Sequence, residues 1–102
     1  MGKDQGGTGA VGRSYHVQFT RKAEQELREL PSQIQKRVGR WVDLLAENPR
    51  RTGTRQLEGR PELRRVHVGK DYVIVYMIHE EEILVLVVRV GHRKEVYRRL
   101  PD

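Results

Sequence analysis

The period of apolar positions changes several times along this chain, and each change marks an element. Tyr15, Val17 and Phe19 alternate with His16 and Gln18, which predicts a short strand with one buried face. Ala23, Leu27 and Leu30 then fall at helical spacing. Thr20 can N-cap that helix, and Pro31 ends it. Ser32 opens a second helix, with Gln35 three residues later completing a capping box. Ile34, Val38, Trp41, Val42 and Leu45 form one apolar stripe, which Asn48-Pro49 stops. So short a joint predicts an antiparallel helical hairpin.

The second half of the chain reads as sheet. Arg50 to Pro61 is polar and glycine-containing, and is expected to be a loop. From Leu63 to Val68 the pattern alternates, with Val66 and Val68 on one face and Leu63, Arg65 and His67 on the other. Tyr72 to Ile78 is apolar on both faces, as a central strand requires. A strongly apolar run, Ile83 to Val88, extends to Val90 with Arg89 as its only charge. The connections Gly69-Lys70-Asp71 and His79 to Glu82 are of hairpin length, so these strands should be antiparallel neighbours. Gly91 is expected to turn the chain, and Glu95 to Leu100 to add a final helical turn. The layout is α+β, β-α-α-β-β-β-α: a helical hairpin packed on one face of a small, mostly antiparallel sheet.

Length and composition narrow this picture. A chain of 102 residues is one small domain with a modest core. Residues 1–13 carry five glycines and no periodicity, so they are expected to be a disordered tail, with the domain spanning 14–102. There is no cysteine, which removes disulfides and thiolate metal sites and fits a reducing compartment. No apolar stretch reaches ~18 residues and no apolar leader opens the chain, so a cytoplasmic protein without a membrane span is expected.

Charge adds a partner class. Lys and Arg number 20 against 14 Asp and Glu, a formal net charge of +6. The excess is local: Arg50, Arg51, Arg55, Arg60, Arg64, Arg65 and Lys70 are opposed over that stretch only by Glu58 and Glu62. Such a patch suits a polyanion or an acidic protein segment.

The candidate chemistry lies at the ends of two strands. Arg65 and His67 are two residues apart and project from one sheet face, the face expected to be free of helices. The segment Val-Gly-His-Arg-Lys-Glu-Val-Tyr delivers His92, Arg93, Lys94 and Tyr97 within six residues. Cleavage of RNA through its own 2′-hydroxyl needs a base for that proton, a cation for the charge on the phosphorane and an acid for the departing 5′-oxygen. It needs no metal and no cofactor. Histidine titrates near neutrality, so His67 is the candidate base. Glu80, Glu81 and Glu82 cluster in a hairpin turn and read as solvated charges, not as a metal site. Trp41 reads as core; His16 and His79 read as ordinary polar positions.

Three segments in this order, FTRKAEQELRELP, RQLEGRPELRRVHVGKDYVIVY and LVLVVRVGHRKEVYRRL, together resemble the RelE/ParE superfamily of type II toxins, on the RelE side. The resemblance runs from about Tyr15 to Leu100. It implies a RelE-like fold and a ribosome-dependent endoribonuclease that cuts mRNA in the ribosomal A site, leaving a 2′,3′-cyclic phosphate. It implies Arg65, His67, Arg93 and Tyr97 as catalytic residues, with Tyr97 near the cleaved nucleotide. Arg55, Arg60, Arg64, Lys70, His92 and Lys94 are the RNA-binding candidates. The implied partners are a RelB-like antitoxin with an acidic C-terminal segment, the ribosome with its mRNA, and operator DNA reached only through the antitoxin complex. One position departs from the family: Val73 stands where an arginine commonly follows the tyrosine of the Gly-Asp-Tyr turn. Lys70, Arg64 or Lys94 are the candidate replacements. The departure keeps two alternatives open, a ParE-like gyrase poison without nuclease chemistry, and a weakened toxin that mainly binds its antitoxin.

Overall fold

Thr20 ends the first strand and begins the first helix. Its hydroxyl accepts the Ala23 N–H at 3.1 Å, the expected N-cap. The computed structural model describes residues 14–100, so the tail expected over residues 1–13 lies outside them. Along the described chain run β1 (His16–Phe19), α1 (Arg21–Glu29), α2 (Ser32–Glu47), β2 (Thr54–Leu57), β3 (Arg60–Val68), β4 (Tyr72–His79), β5 (Leu84–His92) and α3 (Arg93–Arg98). The sheet order is β1-β5-β4-β3-β2. β1 is parallel to β5, and every other neighbouring pair is antiparallel.

This is the expected α+β architecture with one strand added. The stretch 54–57 inside the expected loop is β2, an edge strand paired in register with β3: Thr54 with Val66, Arg55 with Arg65, Gln56 with Arg64. An edge strand needs little apolar content, which is why this one reads as loop. A second difference concerns the helix joint. The N-cap of α2 is Pro31, and Ser32 is already helical, one position too late to cap. Gln35 instead donates its side-chain amide to the carbonyls of Arg28 and Leu30, at 3.2 and 3.0 Å. It closes the end of α1 rather than the start of α2.

The helical hairpin covers one sheet face. Ala23, Val38 and Leu45 pack there against Val66, Val68, Ile74, Tyr76, Val85, Val87 and Val90, with Trp41 and Ile34 at the margin. Tyr76 is fully buried, and its hydroxyl donates to the Pro49 carbonyl at 2.6 Å. The other face was expected to be open, and is only partly so. Leu63, Val73, Val75 and Val88 form a second apolar cluster there, roofed by Val96 of α3.

Gly91 does not turn the chain. β5 continues through it to His92, Gly91 pairs with Val73, and its φ is not among the positive ones. A Cβ on Gly91 would sit 3.4 Å from the Val96 side chain, so the glycine lets α3 lie close on the strand. The chain turns instead at His92, whose Nδ1 accepts the Lys94 N–H at 3.2 Å as the N-cap of α3.

A bulge in β5 sets the opposite flank. Val75 pairs with Arg89 and Tyr76 with Val87, which leaves Val88 as an extra residue. Beyond it, Arg89 is buried against α1, where Glu26 takes its guanidinium at 2.7 Å. The same carboxylate accepts the Val90 N–H at 3.0 Å. Arg89 also donates to the Arg99 carbonyl, tying down the end of α3.

Candidate active site

Two periodicities converge on one cleft. Strand spacing sets Arg65 and His67 on the same face of β3, and helical spacing sets Arg93 and Tyr97 one turn apart on α3. All four line a cleft of about 570 Å³, together with Arg55, Gln56, Leu57, Glu58 and Leu100. The residues come from β2, its turn into β3, β3 itself and the C-terminal helix with its following residue. The Tyr97 hydroxyl lies 3.5 Å from His67 Nε2, and which of the two donates depends on the imidazole tautomer. The Arg93 N–H donates to the Asp71 carbonyl at 2.8 Å, which fixes the start of α3 to the β3–β4 turn.

The electrostatics favour a neutral base beside anion-binding groups. Burial pushes the His67 imidazolium below the ordinary histidine range, and the charges of Arg65 and Arg93 push it further down. Both effects favour the neutral imidazole, the form that can accept a proton. Partial burial raises the Tyr97 phenol above its ordinary range, against the opposing pull of Arg65 and Arg93, so it keeps its proton. Arg55, Arg65 and Arg93 make no ion pair with any described carboxylate. Three guanidinium groups thus line the cleft with their donors unspent on anions among the described residues.

The remaining RNA-binding candidates scatter. Arg55 is in the cleft. Arg64 points elsewhere, donating to the Thr54 hydroxyl at 2.9 Å. Arg60 pairs with Glu62 at 2.8 Å. His92 caps α3 and meets the Tyr72 ring edge-on at 5.8 Å, outside the cleft lining. Lys70 is exposed in the β3–β4 turn and Lys94 is exposed on α3; neither lines the cleft. Val73 is fully buried beneath α3. Sequence reasoning missed Gln56, Leu57, Glu58 and Leu100 as cleft residues. Nothing in the polar stretch Thr54 to Leu57 marks the first three; the Glu58-Gly59 pair, a turn with φ of 79° at Gly59, is the one local sign of a hairpin there. Among the described residues no group of three or more His, Asp or Glu is placed to hold a metal ion, and no helix is long and apolar enough to cross a membrane.

Known proteins share both the sequence and this architecture. Residues 17–97 match the family model of the ParE toxin of the type II toxin–antitoxin system parDE. Toxin RelG of Mycobacterium tuberculosis is 35% identical over 89 residues, 83% of this chain and 98% of that protein. The mRNA interferase toxin RelE of Escherichia coli is 29% identical over 87 residues, 82% of this chain and 90% of that protein. Among solved structures, the toxin–antitoxin complex RelBE2 of M. tuberculosis superposes with a TM-score of 0.69 at 30% identity, covering 78% of this chain and 92% of that one. A doubly substituted E. coli toxin RelE in the free state gives 0.71 at 27% identity, covering 84% and 93%.

The helical hairpin on a five-stranded, mostly antiparallel sheet is a fold this chain shares with these RelE toxins. The chain belongs to the RelE/ParE superfamily of type II toxin–antitoxin toxins.

Proposed function

We propose that this toxin is a ribosome-dependent endoribonuclease that cuts mRNA in the ribosomal A site. One observation carries the reading: an imidazole biased toward its neutral form, a phenol biased toward keeping its proton, and two guanidinium groups, Arg65 and Arg93, without an ion pair among the described residues, meet in one cleft. These are the parts that transesterification by a 2′-hydroxyl requires. His67 takes the proton from the 2′-hydroxyl as that oxygen bonds to phosphorus. Arg65 and Arg93 stabilise the added charge on the phosphorane. The phosphorus–5′-oxygen bond then breaks, and Tyr97 supplies the proton to the departing oxygen while the proton on His67 replaces it. The products are a 2′,3′-cyclic phosphate and a free 5′-hydroxyl. The relatives named mRNA interferases support this chemistry.

The proposed acting unit is the domain of residues 14–102, in the cytoplasm where ribosomes are met. The complexes of related toxins with RelB support a cognate antitoxin with an acidic segment for the basic surface. Contact with operator DNA would run through that antitoxin.

A second reading, a gyrase poison without nuclease chemistry, is favoured by two observations: Val73 supplies no cation, and the matching family model is that of the ParE toxin. Induced expression separates the two. The nuclease reading expects cuts inside translated codons that vanish in Arg93→Ala. DNA-damage signalling with intact mRNA would replace it with the poison.

A further inference from the structure

His92 stands beside the cleft without lining it, and its ring is committed to the backbone of α3. Two of the orphan amides in the first turn of that helix have partners. The Arg93 N–H donates to the Asp71 carbonyl at 2.8 Å, and the Lys94 N–H donates to His92 Nδ1 at 3.2 Å. A backbone N–H can only donate, so Nδ1 carries no proton and the neutral ring keeps its proton on Nε2. Tyr72, opposite His92 in the β4–β5 register, meets the imidazole edge-to-face at 5.8 Å and holds its plane. The helix capped in this way carries Arg93 in its first position and Tyr97 one turn on.

The usual caps accept a hydrogen bond at any pH near neutrality, whereas histidine does so only while its ring is neutral. The surroundings do not hold the charged form. A polar hollow on this flank brings Lys22, Glu26 and Glu29 from α1, Arg89 from β5, and Glu95, Arg98 and Arg99 from α3 and the residue after it. Glu26 is taken by Arg89 and Glu95 by Arg98, and neither His92 nor Asp71 makes an ion pair among the described residues. Arg93 and Lys94, next in the chain, add like charge, and the amide dipoles at the start of α3 oppose a cation there. We infer that His92 is a positioning residue: its unprotonated Nδ1 caps α3 and so holds Arg93 and Tyr97 in the cleft, and protonation of the ring releases the cap. The inference rests on the nuclease reading and adds an acid-sensitive hold on two of its groups. His92 acts through those groups and touches no substrate.

Nitrogen NMR of the imidazole in purified toxin tests the cap, and cutting on programmed ribosomes tests what the cap does. At about pH 8, above the ordinary histidine range, the His92 ring should carry its proton on Nε2. As the pH is lowered and the ring gains a second proton, exchange protection of the Lys94 amide should fall about fivefold, the equilibrium factor of a lost side-chain cap. His92→Asn caps without titrating, so its Lys94 protection should not change over the same range. At the higher pH, His92→Ala should lower kcat about fivefold with KM little changed, and His92→Asn should restore most of the loss. A proton on Nδ1 at that pH, or Lys94 protection that ignores the titration of the ring, overturns the cap. Wild-type kcat in His92→Ala, or no rescue in His92→Asn, overturns the positioning role. A wild type that cuts nothing overturns the nuclease reading instead, and the ring and amide signals still decide the cap.

Discussion

The hydroxyl of Tyr97 lies 3.5 Å from Nε2 of His67, thirty residues earlier in the chain. One group hangs from the last helix and the other from β3, so the contact exists only when α3 is seated on the sheet. Tyr97→Phe keeps the ring and removes the hydroxyl. Single-turnover cleavage on programmed ribosomes should slow by about a hundredfold, the lower range for loss of a proton-transfer group. Binding of the toxin to the ribosome should be unchanged. A phenylalanine variant as fast as wild type would reduce Tyr97 to a stacking surface.

The pH profile should show the same site. Burial, then Arg65 and Arg93, depress the His67 pKa. The neutral, base-competent form therefore persists to lower pH than an ordinary histidine would allow. The acid limb of kcat/KM, which reports the free enzyme, should have its midpoint below about 6.5. Arg93→Gln removes one depressing charge, so in the residual activity that limb should move upward. For stability the sign is the same: the folded state resists protonating His67, so this residue's contribution falls as pH drops through the ordinary histidine range. An acid limb at or above the ordinary value would contradict the assignment of His67 as base.

Glu26 and Arg89 bind α1, β5 and the end of α3 together. Glu26→Ala leaves a buried guanidinium without its anion and the Val90 N–H without its acceptor. Urea unfolding should show a loss of about 3–5 kcal/mol, the usual result of removing one partner of a buried pair. Replacing both residues with apolar side chains of similar volume should cost less than the single change. A single substitution costing under about 1 kcal/mol would show that the pair contributes little to the seating of α3.

Gly91 tests that seating from beneath. A Cβ at this position just fits against Val96, and larger branches do not. Gly91→Ala should retain cutting, whereas Gly91→Val should lift α3 and slow cutting by an order of magnitude or more. Binding of the helical-hairpin face by partners should survive, because that face lies on the other side of the sheet. Normal activity in Gly91→Val would mean that α3 tolerates displacement.

Much of this was legible in the sequence, for reasons that differ by residue. The stripe from Ile34 to Leu45 and the Thr20 cap are local patterns, and the structure follows them. Arg65 and His67 share a face because a strand has period two, which needs no tertiary information. What was not legible depends on partners distant in sequence. Thr54 to Leu57 becomes a strand only because β3 offers an edge, so its polar residues gave no strand signal. The supposedly open face carries its own apolar cluster because Val96 folds back over Val73 and Val75. Gly91 looked like a turn, but its role is close approach of α3. Arg64 and Arg65 are neighbours in sequence, yet only Arg65 reaches the cleft, and Glu58 joins it through a two-residue turn.

The most direct test of the central claim uses purified toxin, ribosomes and a message with a single 2′-deoxy nucleotide at a mapped cut. The unmodified message should be cut there in the absence of added factors, leaving a 2′,3′-cyclic phosphate, and the 2′-deoxy message should stay intact at that position. Cutting of the 2′-deoxy message at the same bond, or an intact unmodified message, would contradict a mechanism in which His67 activates the 2′-hydroxyl.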